Sequence, residues 1–219
     1  MYKPIIHYLD EIDTKQSRKI LDFGCGDGIF IKCMIDNNLK GELFGSDISL
    51  SMINLAREKL DYDKVELFLA DGFQMPVNSN VKFDVIHVDM ILHHLIGKTR
   101  KASKKLVNKM LDILMNMLSE NGTLIIEEHI STSFLIPSFG SFVAFYGLKF
   151  LNFFHLDVNK IVDEIQPGLE VNFFHEKQLV KILEQYGTVK RIRKETSTPT
   201  KFRRLFLVKE IGTMSFAVK

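Results

Sequence analysis

Three observations predict an α/β protein built on a largely parallel sheet with helices on both faces. Short apolar runs alternate with segments of helical spacing from about residue 19 to residue 130. Two of those runs, FDVIHV and LIIEE, are nearly continuous in apolar residues, as strands buried on both faces are. A glycine-rich loop, GCGDG at 24–28, joins the first apolar run to the first helical segment, as in a βα unit that binds a ligand at its turn.

The elements follow in order. Lys19–Phe23 is the first strand, and Gly28–Asn37 the helix after it, with Ile29, Phe30, Cys33 and Met34 on one side. Glu42–Ser46 is the second strand. Ser49–Leu60 is helical, with apolar Leu50, Ile53, Leu55 and Leu60 and Ser49 as N-cap. Val65–Leu69 and Phe83–Val88 are the third and fourth strands, the fourth interrupted by Asp84 and His87. Lys101–Leu118 is a long helix with Leu106, Met110, Leu111, Leu114 and Leu118 along one face. Asn121-Gly122 reads as a turn, and Thr123–Glu127 as the fifth strand. The alternation stops near Ser131 and resumes with a helix at His175–Gln185 and strands at Thr188–Lys194 and Phe202–Lys209. The chain therefore reads as a single domain over 1–219 with an insertion at 131–170.

Of the 219 residues, 46% are hydrophobic and 26% charged, with 29 Lys and Arg against 27 Asp and Glu. A net charge of +2 gives no reason to expect nucleic acid as an obligatory partner. The two cysteines, Cys25 and Cys33, are too close to the loop and its helix to suggest a disulfide framework, which favours a reducing compartment. The N-terminal MYKPIIHYLDEID lacks the pattern of a signal peptide, so the expectation is cytoplasmic.

Three glycines at alternate positions need a reason, because glycine weakens regular structure. A loop that bends tightly and lets a ligand approach its backbone is such a reason. A dinucleotide site would use G-x-G-x-x-G, but Ile29 stands where its third glycine belongs. The lack of a G-K-[ST] ending excludes a P-loop.

The spacing D-x-G-x-G-x-G, from Asp22 to Gly28, resembles motif I of the class I S-adenosylmethionine (SAM)-dependent methyltransferases. FGSDIS, LADGFQMPV, FDVIHVDMILHHL and NGTLIIEEH are similar to that family's later motifs, in family order, over roughly residues 18–130. The similarity is greatest to the small-molecule branch that includes ubiquinone and menaquinone methyltransferases. It implies a Rossmann-like sandwich of seven strands, the last antiparallel, with SAM as cofactor and S-adenosylhomocysteine as product. It implies that Gly24, Cys25, Gly26 and Gly28 wrap the carboxypropyl end, with Asp22 near the amino group. Asp47 would accept the ribose hydroxyls with Ile48 beside it, Asp71 and Gly72 would meet the adenine edge, and Asp89 would line the methionine end or the acceptor site. No metal is implied. Asp89 lacks the following P-P-[YFW] of enzymes that methylate amino groups of nucleic-acid bases.

A base is needed only where the acceptor must lose a proton. His93, His94 and His129, near the ends of the fourth and fifth strands, are the candidates, and Glu127 and Glu128 stand beside the last. The stretch 134–156, FLIPSFGSFVAFYGLKFLNFFHL, is apolar and aromatic but broken by Pro137, Gly140, Gly147, Lys149, Asn152 and His155, so it does not read as a membrane span. Insertions after the fifth strand of similar enzymes form lids, so a greasy lid suggests an apolar acceptor such as a lipid, a quinone or another apolar metabolite. Contact with a membrane surface and a dimer interface are the other readings of this stretch. An amphipathic helix over 157–168 would return the chain to the sheet. The basic runs 98–105 and 190–194 leave open an RNA methyltransferase, and the fold alone leaves open a non-catalytic partner subunit. Oligomeric state is not encoded in any motif seen here.

Overall fold

The computed structural model describes residues 2–12, 18–60, 64–75, 81–134, 136, 138–155, 168–199, 204 and 208–219. Helix α1 (Lys3–Ile12) precedes β1 (Lys19–Phe23), α2 (Ile29–Asp36), β2 (Glu42–Asp47), α3 (Leu50–Lys59), β3 (Val65–Leu69) and β4 (Phe83–Asp89). A 3-10 turn at Leu92–His94 leads to α4 (Arg100–Met117) and β5 (Leu118–Ser133). Then come α5 (Phe139–Phe153), α6 (Glu176–Leu183), β6 (Val189–Ser197) and β7 (Val208–Val218). Among the described residues the strands form one seven-stranded sheet, ordered β3-β2-β1-β4-β5-β7-β6. The first five are parallel, and β7 runs antiparallel to both β5 and β6. The chain winds outward from β1 to β3, then returns to β4 on the other side of β1. That switch point opens a crevice at the carboxyl ends of β1 and β4.

Strand alternation divides the core into two layers. Leu21, Phe23, Ile86, Val88, Leu124 and Ile126 face α4 and α6, with Val107, Met110, Leu111, Leu114, Leu179 and Leu183 opposite them. Ile20, Val85, Ile125 and Ala217 face the other way, against residues of α1, α2 and α3. Both layers are apolar, and burial of this kind contributes about 25 cal/mol per Å² of apolar surface.

Several expectations change. In α2 the buried residues are Phe30, Ile31 and Met34; Ile29 is exposed and Cys33 half-buried, because the helix turns the glycine loop's end toward solvent. In α3, Ile53 and Ala56 are buried while Leu50 and Leu55 are exposed. Ser49 does cap it, accepting from the Met52 amide at 3.4 Å. Asn121-Gly122 is not a free turn but an irregularity inside β5: the pairing jumps from Phe83↔Leu118 to Val85↔Thr123. The strand continues to Ser133, so the sheet extends past Ser131 before the insertion begins. β6 runs to Ser197, and the last strand is Val208–Val218 where Phe202–Lys209 was expected; most of 202–207 lies outside the described residues. The helix expected over 157–168 also lies outside them, Gly168 excepted. Helix α1 is an element the sequence reading did not anticipate.

Candidate functional site

β1 ends at Phe23, and its loop turns across the carboxyl end of the sheet. Gly24, Gly26 and Gly28 have φ of 73°, 52° and 78°, left-handed values that side-chain-bearing residues rarely adopt. Alternating them lets five residues reverse direction before α2 starts. The Gly24 and Cys25 amides donate to the Ser46 carbonyl at 2.7 and 2.8 Å, and the Gly26 amide donates to Asp47 Oδ2 at 2.9 Å. The loop is thus pinned to β2 by amides that the sequence reading left for a ligand. A Cβ on Gly26 would meet nothing within 4 Å, so its backbone lies open to a close-packing ligand.

Asp47 closes β2. Besides Gly26 it accepts from the Ser49 amide through Oδ1 at 2.8 Å, and each oxygen keeps a lone pair for a hydroxyl. Ile48 beside it is 71% exposed, an apolar surface without a cover. Asp71 is exposed after β3, its Oδ1 accepting from the Phe73 amide at 2.9 Å. Gly72 packs on Phe23, whose Cζ would lie 2.4 Å from an added Cβ. Asp27 pairs with Lys59 of α3.

A cavity of about 170 Å³ lies below the loop, lined by Tyr2, Asp22, Gly24, Cys25, Gly26, Asp27, Ile29, Phe30, His87 and Asp89. Tyr2, Phe30 and His87 are contributions that motif reading missed. Burial pushes the Cys25 thiol up to about 12, so it is a packing group and not a nucleophile. Asp89 accepts from the Tyr2 hydroxyl through Oδ2 at 2.8 Å, while its buried Oδ1 has no partner among the described residues. Burial and then the charge of Glu127 raise Asp89 to about 6, against the opposite pull of His87 and Tyr2. His87 is fully buried, with Nδ1 2.8 Å from Asp22 Oδ1 and Nε2 3.3 Å from Glu127 Oε1. Burial opposes its charge, but the two carboxylates prevail and raise it to about 9.

After Asp89 the chain bends at Met90, φ 56°, whose amide donates to the Glu127 carbonyl at 3.0 Å. The 3-10 turn then sets His93 against β5. Glu128, fully buried, accepts from the Leu92 amide at 2.7 Å and lies 2.8 Å from His93 Nδ1. The segment returning to α6 closes this side: the Asn172 amide donates to the His93 carbonyl at 2.9 Å and the Ser131 amide to the Phe174 carbonyl at 2.8 Å. Phe173 is thereby stacked 5.8 Å from His93 and placed 6.2 Å, edge-on, from His129. His94 and His129 are exposed, and the three imidazoles form one group, His93 being 4.1 Å from His94 and 5.4 Å from His129. Burial, then the charge of His93, lowers the His94 pKa. Two clusters thus share one edge of the sheet: a carboxylate-lined cavity at β1 and β4, and an imidazole-aromatic group at β4 and β5.

The acidic lining and the unpartnered Asp89 oxygen suit a cationic ligand, and the bare Gly26 backbone suits one that packs closely. SAM, with its sulfonium and ammonium, has both properties. Residues 20–116 match the family described as "Methyltransferase domain". Over 77 residues the chain is 35% identical to malonyl-[acyl-carrier protein] O-methyltransferase of Legionella pneumophila, a stretch covering 35% of this chain and 27% of that protein. The chain thus spans about a quarter of that curated relative. Its fold is similar to a SAM-dependent methyltransferase from Clostridium acetobutylicum, at TM-score 0.58 and 15% identity over 98% of this chain and 89% of that one. It is also similar to PKMT2 of Rickettsia typhi, solved with S-adenosylhomocysteine, at TM-score 0.60 and 15% identity over 98% of this chain and 52% of that one. The fold is thus shared with the methyltransferase structures this chain is similar to, and the first half of the chain, residues 20–116, carries the match to the methyltransferase domain.

Proposed function

We propose that this domain transfers the SAM methyl group to a small apolar acceptor, a lipid, a quinone or another apolar metabolite, as in the ubiquinone-like branch. The aromatic face of α5 carries the reading. Phe145 and Leu148 hold the helix to the protein, while Phe142, Tyr146, Phe150 and Phe153 are exposed, Phe153 at 77%. Apolar rows of this kind mark binding surfaces. The helix hangs from the end of β5, where Ser133 Oγ accepts from the Gly140 amide at 2.7 Å. It therefore begins beside the strand that bears Glu128 and His129. The same face would meet a membrane surface holding such a compound, and no helix among the described residues is long and apolar enough to cross a membrane.

Gly24, Gly26, Gly28, Asp22 and Asp89 would hold the amino-acid end of the cofactor, Asp47 its ribose and Asp71 its adenine. When bound, SAM supplies an electrophilic methyl group on sulfur. The protein holds the acceptor atom in line and, where that atom carries a proton, removes it. His93 suits this proton removal, because Nδ1 donating to Glu128 leaves Nε2 as the basic nitrogen.

Purified protein would be incubated with methyl-labelled SAM and with quinols, fatty acids, acyl thioesters and RNA in separate reactions. Label should enter an organic-extractable acceptor, and Phe150→Ser should raise KM about tenfold with kcat little changed, the loss expected for one apolar ring contact. Label entering RNA alone, or SAM bound without transfer to any acceptor, would contradict the proposal. The second outcome would mark a partner subunit.

A further inference from the structure

On the sheet face covered by α1, α2 and α3, Ile20, Val85, Ile125 and Ala217 are core residues. Two positions nearer the cavity on the same strands, that face carries Asp22, His87, Glu127 and Ser215, all buried. An apolar sheet face has changed into a polar row directly beneath the glycine loop. His87 stands in its middle, between Asp22 Oδ1 at 2.8 Å and Glu127 Oε1 at 3.3 Å. Ser215 Oγ donates to Glu127 Oε2 at 2.7 Å, and Arg193 Nη1 lies 3.6 Å from the same oxygen. Phe30 stacks on the imidazole at 3.8 Å, and the Tyr2 ring meets it edge-on at 6.1 Å. Apolar residues would fill this space without the cost of desolvating charge, so the row calls for a use beyond packing.

We propose that His87 is a positioning residue, an imidazolium clamp that fixes the Asp22 carboxylate to receive the ammonium group of the cofactor. The inference rests on the SAM assignment. A neutral imidazole has one donor and one lone pair, so it would set that lone pair against one of the two carboxylates; the protonated ring donates to both. The charged groups around the ring are Asp22 from β1, Asp89 from its own strand, Glu127 from β5 and Arg193 from β6 beyond Glu127, with the Tyr2 phenol above. The raised pKa of His87 agrees with the charged form at neutral pH. The clamp engages Asp22 Oδ1, and Oδ2 of this cavity-lining carboxylate is the atom it leaves to a ligand.

The test compares two ligands in His87→Gln and the unaltered protein. S-adenosylhomocysteine has the amino-acid end; 5′-methylthioadenosine lacks it but keeps the nucleoside and the thioether. His87→Gln should weaken S-adenosylhomocysteine about tenfold or more and change methylthioadenosine by about twofold or less, since only the charge-assisted contact at the ammonium is lost. Equal weakening of both ligands, or of neither, would overturn the clamp. Nitrogen-15 spectra of the histidine-labelled, unaltered protein near neutral pH provide a reading that needs no variant. Two protonated ring nitrogens on His87 are expected, and a neutral ring would overturn the proposal. Failure of the unaltered protein to bind either ligand would overturn the SAM assignment itself, a result distinct from failure of the clamp.

Discussion

Asp89 is the residue at which the proposed binding of SAM gains a pH dependence. It ends β4 with one oxygen on Tyr2 and the other buried and unpartnered among the described residues. Burial and the Glu127 charge raise it to about 6. Its proton must leave before a cation can be held there, so SAM affinity should be constant well above pH 6 and fall as pH drops through that value. The limiting slope is about tenfold per pH unit for one coupled proton. Titrations from about pH 5 to pH 8 check this, and Asp89→Asn should flatten the profile. A flat profile in the unaltered protein would place the cation elsewhere. For stability the sign is the reverse: a carboxyl whose folded pKa is raised favours the fold while protonated, and that contribution is lost as pH rises through about 6.

The elements divide by how local their causes are. β1 and β3 were legible to the residue, because each is a short apolar run bounded by polar punctuation. α3 and α4 were legible within a residue, α3 from its Ser49 cap, which accepts from the Met52 amide, and α4 from its apolar face; the structure adds Thr99 as the cap of α4, accepting from the Ala102 amide. α1 was not, because Ile5, Ile6, Tyr8 and Leu9 are buried by later parts of the chain, with Lys190 of β6 lying 5.0 Å over the Tyr8 ring. The site splits in the same way. The glycines, Asp47 and Asp71 are readable because backbone geometry and strand ends fix them. The His87 row was visible only as an oddity in an apolar strand: its meaning depends on strand order and on Ser215, 88 residues from Glu127. The Glu128–His93 pair joins two elements likewise and carries its own prediction. Glu128→Gln keeps the shape but loses the charge that orients a base, so kcat should fall by about tenfold to a hundredfold while S-adenosylhomocysteine affinity stays unchanged. A loss of cofactor affinity instead would assign Glu128 to the fold of the 3-10 turn.

Across the whole molecule, the strand order concentrates function on one edge. The reversal between β1 and β4 gathers Asp22, the glycine loop, Asp47 and Asp89 at the carboxyl ends, while β5 sets the imidazole group and α5 beside them. The cofactor and the acceptor would thus meet without either crossing the core. The central claim is that this edge binds SAM, and calorimetric titration with SAM and S-adenosylhomocysteine tests it most directly, with Asp47→Ala in parallel and circular dichroism to show that both proteins fold. Saturable binding to one site is predicted, weakened about tenfold or more in Asp47→Ala, which loses the carboxylate proposed for the ribose and the anchor of the Gly26 amide. Well-folded, unaltered protein that binds neither ligand would contradict the account.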